Sequence, residues 1–476
     1  MTLSGMISHE WRTRLSRPAA LVSLALFTAA LIYGAVSGRM ERDARLEVIA
    51  NHAAEVSVTT QRWLSDLKTL EEQGAGASVP PWSGSAMDLT FPTSLPPAPL
   101  ADFAIGQSDF LPFVGAISLW DPDIRLFSRY EFEDPAALAL GSFDLGRGII
   151  LVLPLLLILL AFDVLSAERD ANRLGLMLAQ GASIRSIFWL RLSIRTGMAV
   201  LLTLLIAFLA LILQGAAGDV GQRLPFFALW AVAALLYAAF WIAIIGFIAS
   251  KNRRGEINVM LLLLIWTAFT LILPASVTAV AEMVYPAPSR LAYLAQAREI
   301  EIETERAESD VAARFVDDHP DMLLDAASEM PAYVRTAFLV TSAVDEATRP
   351  VLAAFEDAAS RRDETLNRLR YVSPAIIVHG VFNDLAGASS ARHHRYMAGA
   401  RAMKAAYAAQ AGPYIVAGRR LPLQEVASLP RFHFEDEPLN ALVRRNTGVL
   451  LFLALATVLL SLLAEHRLRR IAVLGD

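Results

Sequence analysis

Apolar residues along the chain gather into six runs, free of charge but for Asp163 near the end of the second and each near the length that crosses a bilayer: Ala19 to Ser37, Gly148 to Leu165, Thr196 to Leu213, Pro225 to Ala249, Ile257 to Val280 and Thr447 to Leu463. A helix rises about 1.5 Å per residue, so roughly 20 apolar residues traverse about 30 Å of hydrocarbon. The first run follows Arg12, Arg14 and Arg17 as a signal peptide would. It is long, however, and Gly38 to Asp43 offers no small-residue cleavage site, so it reads as a retained anchor. Between the runs lie two long polar segments, 38–147 and 281–446. The first opens with a helical pattern over Arg39 to Gln73, and then Val79-Pro80-Pro81 and Leu95 to Pro99 exclude continuous helix. The second predicts helices at Pro288 to Val316, Ala332 to Ala359 and Arg361 to Tyr371, divided by Pro320, Pro331, Pro350 and Pro374.

Composition agrees with the pattern. Of the 476 residues 55% are hydrophobic and only 19% charged, with a mean hydropathy of +0.45, against about a quarter charged in soluble domains. The chain has no Cys, which removes disulfides and thiolate chemistry. The segments 1–17, 166–192, 250–256 and 465–476 hold 13 basic against 6 acidic residues, while the whole chain is −5, so the remainder sums to −12. Positive charge in short loops marks the cytoplasmic side. Both termini are therefore expected in the cytoplasm of a bacterial inner membrane, with the two long segments outside. The predicted fold is an all-α polytopic membrane protein: six transmembrane helices and two large, mainly helical extracytoplasmic domains.

Candidate chemistry is sparse. None of the three lysines, Lys68, Lys251 and Lys404, sits in a Gly-x-x-x-x-Gly-Lys-Ser/Thr frame, so this chain carries no phosphate-binding loop of that type. His9-Glu10 lacks the second histidine of a zinc-protease helix, because position 13 is Thr. Adjacent His393 and His394 project about 100° apart on a helix and make a poor shared metal site. No catalytic, cofactor or metal residues are assigned. Asp163 lies just inside the second run and is expected to pair with Arg169 or Arg195 at the interface. Arg191 and Arg195, four apart, are expected to anchor the third helix at the headgroups, and Trp11, Arg12 and Arg14 to lie along the membrane surface. Trp230, Tyr237, Trp241 and Trp266, inside the runs, read as packing or interface residues.

The segment Ser166 to Ser183 has a charged start (Glu168, Arg169, Asp170), a short amphipathic helix (Leu174, Leu176, Met177, Leu178) and a Gly181-Ala182-Ser183 turn. It resembles the coupling loop of ABC-2-type transporter permeases, in which an acidic start is followed by a Gly-Thr-Leu step; Asn172-Arg173-Leu174 stands there in this chain. His9 to Arg12 resembles the connecting helix ahead of the first span in that family. Tyr371 to Ala375 and Asn383 to Gly387 are similar to stretches of a branch of uncharacterised permeases with enlarged periplasmic domains. The resemblance implies a permease with a connecting helix over 1–18, spans at 19–37, 148–165, within 196–280 and at 447–464, a coupling loop at 166–195 and a tail at 465–476. It further implies two copies of a separate ABC ATPase that bind ATP and Mg, and a second permease, identical or sister. The loop residues expected at the ATPase are Glu168, Arg169, Asp170, Arg173, Leu174 and Leu178. Nucleic acid is not an expected partner. A membrane-anchored scaffold or sensor, whose external domains bind a partner without transport, is the alternative, and a membrane enzyme ranks below both.

Overall fold

The computed structural model describes residues 10, 16–73, 78–80, 83–106, 111–126, 143–170, 183–214, 220–251, 253–286, 290–307 and 329–473. In chain order its elements are α1 (Pro18–Gln73), β1 (Phe91–Ser94), β2 (Val114–Ile117), α2 (Leu145–Ala161), α3 (Ser166–Asp170), α4 (Ile184–Gln214), α5 (Val220–Ala249), α6 (Gly255–Thr267), a π-helical turn (Ala268–Ile272) and α7 (Leu273–Val284). There follow α8 (Arg290–Arg306), α9 (Ala332–Leu369), α10 (Pro374–Ala386), α11 (Ser390–Val416), α12 (Leu423–Val426) and α13 (Leu439–Val473).

Among the described residues five helices are long and apolar enough to cross a membrane: α1, α4, α5, the continuous rod α6–α7, and α13. A sixth apolar helix, α2, is shorter, at 17 residues. The chain is thus a mainly helical, multi-pass membrane protein. In α5 61% of the most apolar window is buried, against 22% in α1 and α13 and 17% in α6–α7, so α5 is the central post and the others present their apolar faces outward.

Pro inside an apolar helix leaves a carbonyl without its backbone donor, and hydrocarbon supplies no substitute. Pro154 in α2 removes the N–H due to Ile150. The Tyr237 hydroxyl of α5 donates to the Ile150 carbonyl at 2.8 Å, and the Trp266 indole donates to Leu151 at 3.2 Å. In the π turn the Leu273 N–H bonds Ala268 rather than Phe269, and the next residue, Pro274, has no N–H to offer. The Ser373 hydroxyl fills that vacancy, donating to the Phe269 carbonyl at 2.5 Å while capping α10. Tyr237 and Trp266, two of the four aromatic residues predicted as packing or interface groups, therefore also close hydrogen bonds.

Several boundaries differ from the sequence reading. The first span and the helix after it are one rod of 56 residues, about 84 Å long at the usual rise, because nothing between Gly38 and Gln73 breaks the helix. Pro350 does not divide α9, which continues from Ala332 to Leu369; Glu346 and Arg349 beside it are solvent-exposed, so water is at hand for the freed carbonyl. The Pro-rich stretch holds a two-stranded antiparallel hairpin that the sequence reading missed. The short helix α10, counted with the second long segment, joins the bundle core: Phe382 stacks on Trp230 of α5 with ring centroids 4.9 Å apart.

Among the described residues the two long segments share a core. Trp63, Leu67, Met87 and Leu119 from the first share one core with Val334, Phe338, Tyr407 and Ile415 from the second. Lys404, almost wholly buried, clamps them together, its ammonium lying 2.9 Å from Asp123 and 2.7 Å from Asp345.

Candidate functional site

At the end of the bundle that carries the short basic connections, three chain segments converge on one buried ion cluster. Arg191 and Arg195 lie one turn apart on α4, so their side chains leave the same face. Both reach Glu10, Arg191 at 3.1 Å and Arg195 at 2.7 Å. Arg195 also holds Asp163, just beyond α2, at 2.8 Å. The two guanidiniums and Glu10 are at most 3% exposed, and Asp163 is 17% exposed. Among the described residues two positive and two negative charges balance in the cluster, which favours its sitting out of water.

The neighbouring contacts tighten the same end. Asn258 of α6 donates to the Phe162 carbonyl at 3.3 Å, closing the end of α2. A Cβ on Gly255 would come within 3.1 Å of the Ser166 hydroxyl, so α3 and the start of α6 are in close contact. Glu465 of α13 accepts from Arg185 at 3.1 Å and from the Trp189 indole at 3.0 Å, both on α4. An open depression of about 400 Å³, bordered by Asp163, Ser166, Arg254 and Glu256, lies beside the cluster.

Of the residues singled out from sequence, Asp163, Arg191 and Arg195 come together here. Glu168, Arg169 and Asp170 lie in the short helix α3, which leads from the cluster into the segment 171–182. Arg173, Leu174 and Leu178 lie outside the described residues, as do Trp11, Arg12 and Arg14. Sequence reasoning passed over Glu10 as a site residue. Its signal was there in outline: a single acid among basic residues ahead of the first span, matched by two arginines at helical spacing far along the chain.

The opposite end is tied as firmly. Arg223 of α5 grips both carboxylate oxygens of Asp102 at 2.6 Å, with Arg42 of α1 4.0 Å away. Burial pushes the Asp102 carboxyl above its ordinary range, and the two arginines oppose that rise. Asp144 caps α2, accepting from the Arg147 N–H at 2.7 Å and the Ile105 N–H at 3.0 Å. The rod α1 packs against both places through glycines four apart. A Cβ on Gly38 would lie 2.0 Å from the Asp102 carbonyl oxygen, and one on Gly34 2.7 Å from the Asp144 backbone.

Fold and site thus define a multi-pass helical membrane protein whose spans are locked together by ion clusters at both ends. Residues 290–435 match the family model of a domain of unknown function, DUF3526; the match runs from α8 to the approach to α13. No curated protein and no solved structure is similar to the chain.

Proposed function

We propose that this chain is the membrane-spanning permease subunit of an ATP-driven transporter of the ABC-2 type, coupling ATP hydrolysis by a separate ATPase to export or to work on its external body. In this reading α1, α2, α4, α5, α6–α7 and α13 are six spans of a bacterial inner membrane, with Glu10 and the basic connections in the cytoplasm. The observation that carries it is the cluster of Glu10, Asp163, Arg191 and Arg195. It stands on either side of the 166–183 connection and binds the stretch before the first span, the end of α2 and the start of α4 into one unit. A force applied to that connection by an ATPase would act on all three together, as a lever requires. The chain would assemble with two ATPase copies and a second permease, identical or sister.

The test is co-expression with an ABC ATPase encoded beside it and co-purification in detergent, comparing the wild type with the Glu168→Ala/Arg173→Ala/Leu174→Asp variant. A complex that hydrolyses ATP and is lost in the variant supports the reading. Failure of the wild type to retain any such ATPase refutes it.

A further inference from the structure

The hairpin has two outer edges, and they are not equivalent. The Leu95 N–H donates to the Phe113 carbonyl, which with the register makes Leu95–Phe113, Thr93–Gly115 and Phe91–Ile117 the bonded pairs. The alternate residues turn their N–H and C=O groups away from the ladder: Pro92 and Ser94 on β1, Val114 and Ala116 on β2. Pro92 has no N–H, so it blunts the β1 edge in the usual way. The β2 edge has no such guard, and among the described residues nothing bonds the backbone of Val114 or Ala116.

A cleft of about 520 Å³ runs along this strand, with Val114 and Ala116 on one side and His52 and Glu55 of α1 on the other. His52 is bonded to the Gly115 carbonyl at 2.9 Å, which fixes the rod against the strand. The Trp120 wall is held by its indole N–H bonding Asp88 at 2.9 Å. The cleft is also electrically one-sided. Its arginine, Arg125, is already paired with Glu301, whereas Glu55 and Asp121 make no ion pair among the described residues.

We propose that β2 is a docking edge for an extended segment of a partner polypeptide that carries a lysine or arginine. The segment adds as a third strand through the backbone of Val114 and Ala116, and its basic side chain lies by Glu55 and Asp121. Unpaired ladder groups select an extended backbone, and two unneutralised carboxylates select a positive side chain. The small side chains of Gly115 and Ala116 leave room for the approach. The inference rests on the hairpin alone and stands whether or not an ATPase drives the chain.

The experiment uses the full chain in nanodiscs and a fluorescein-labelled hexapeptide of alternating threonine and valine with one central lysine, read by fluorescence anisotropy. Controls are the same peptide with glutamate for lysine and the same peptide with N-methylated backbone. The lysine peptide is expected to bind about tenfold tighter than either control. Ala116→Pro removes an outward N–H that the β1 ladder does not use, and is expected to weaken the lysine peptide about tenfold. Glu55→Gln/Asp121→Asn is expected to bring the lysine and glutamate peptides within about twofold of each other. If Ala116→Pro disturbs folding, the N-methylated peptide on the wild type decides the backbone question. The proposal is overturned if the lysine peptide shows no saturable binding, or if N-methylation leaves binding unchanged. It is equally overturned if the chain is a dimer that Ala116→Pro splits, since a second copy would then cover the edge.

Discussion

Removing the Glu10 carboxylate is the sharpest test of the buried cluster. In Glu10→Gln the guanidiniums of Arg191 and Arg195, both at most 3% exposed, lose the carboxylate they share and keep Asp163 as the cluster's counter-charge among the described residues. One surplus positive charge is left out of water. Breaking a buried pair from one side costs about 3–5 kcal/mol, because the stranded charge keeps its desolvation penalty and loses its partner. Arg195→Gln is expected to cost a similar amount, since it takes the guanidinium from Asp163 and leaves Glu10 with Arg191 alone of its two arginines. The double variant Glu10→Gln/Arg195→Gln restores charge balance through Arg191 and Asp163, so it is expected to be less destabilised than the sum by about 2 kcal/mol or more. Asp163→Asn, at the more exposed corner, is expected to cost only about 1–2 kcal/mol. The assay is reversible denaturant unfolding of the purified chain in mixed micelles, followed by tryptophan fluorescence. If Glu10→Gln costs under about 1 kcal/mol, or the double variant is simply additive, the cluster does not bind the three segments together and the lever argument fails.

Other consequences can be measured on the same preparation. Tyr237→Phe leaves the Ile150 carbonyl without its donor in the bundle interior, for an expected loss of about 1–3 kcal/mol in the same unfolding assay; no change would mean that another group satisfies it. Gly38→Ala places a methyl 2.0 Å from the Asp102 carbonyl oxygen, so α1 must shift; a cysteine cross-link between positions 42 and 102 is expected to form in the parent and to slow markedly in the variant. Burial raises the Asp345 carboxyl above its usual 3.8, with Lys404 opposing the rise and the neighbouring Asp123 charge adding to it. The folded state then keeps this proton to higher pH than the unfolded chain, so the Asp345 contribution to stability falls as pH rises from 3.8 through the raised folded value. Asp345→Asn is expected to remove that downward slope from a plot of unfolding midpoint against pH, and an unaltered slope would refute the assignment.

The five long apolar helices were legible because an apolar run of about 20 residues without charge has few other uses. The pairing of Asp163 was legible too: an acid at the end of one run faced two arginines at helical spacing at the start of the next. What escaped the sequence was tertiary in origin. Phe91-Pro92-Thr93-Ser94 and Val114-Gly115-Ala116-Ile117 are too short, and too rich in Pro and Gly, to read as strands until each is set against the other. Trp63 and Tyr407 share a core across more than 340 positions of sequence, and no local pattern announces it. Ser373 carried no assigned role before the fold; only the register shift of the π turn shows why a hydroxyl is wanted at Phe269. Gly34 within the first run and Gly38 just after it gave no sign of a contact, although their spacing of four is what lets another backbone approach one helix face.

The contacts at the two ends of the bundle meet on α2. Beyond its last turn Asp163 is held by Arg195 and thereby joined to Glu10. At its first turn Asp144 caps it and contacts α1, beside the Asp102–Arg223 pair that fixes α5. Between these fixed points lies Pro154, whose freed carbonyl is bonded by a side chain of α5 rather than by α2 itself. A helix with one fewer internal bond bends most easily there. A displacement at the Glu10 end must therefore be absorbed as bending at Pro154, with Tyr237 as the bond at risk, or be carried through α2 to the body built by the two long segments. Tyr237→Phe separates these routes. By loosening the bend it should weaken transmission between the ends while leaving the Glu10 cluster intact, so a distance between spin labels at positions 95 and 285 should stop responding to Glu10→Gln. If the response persists unchanged in Tyr237→Phe, α2 is not the connecting element.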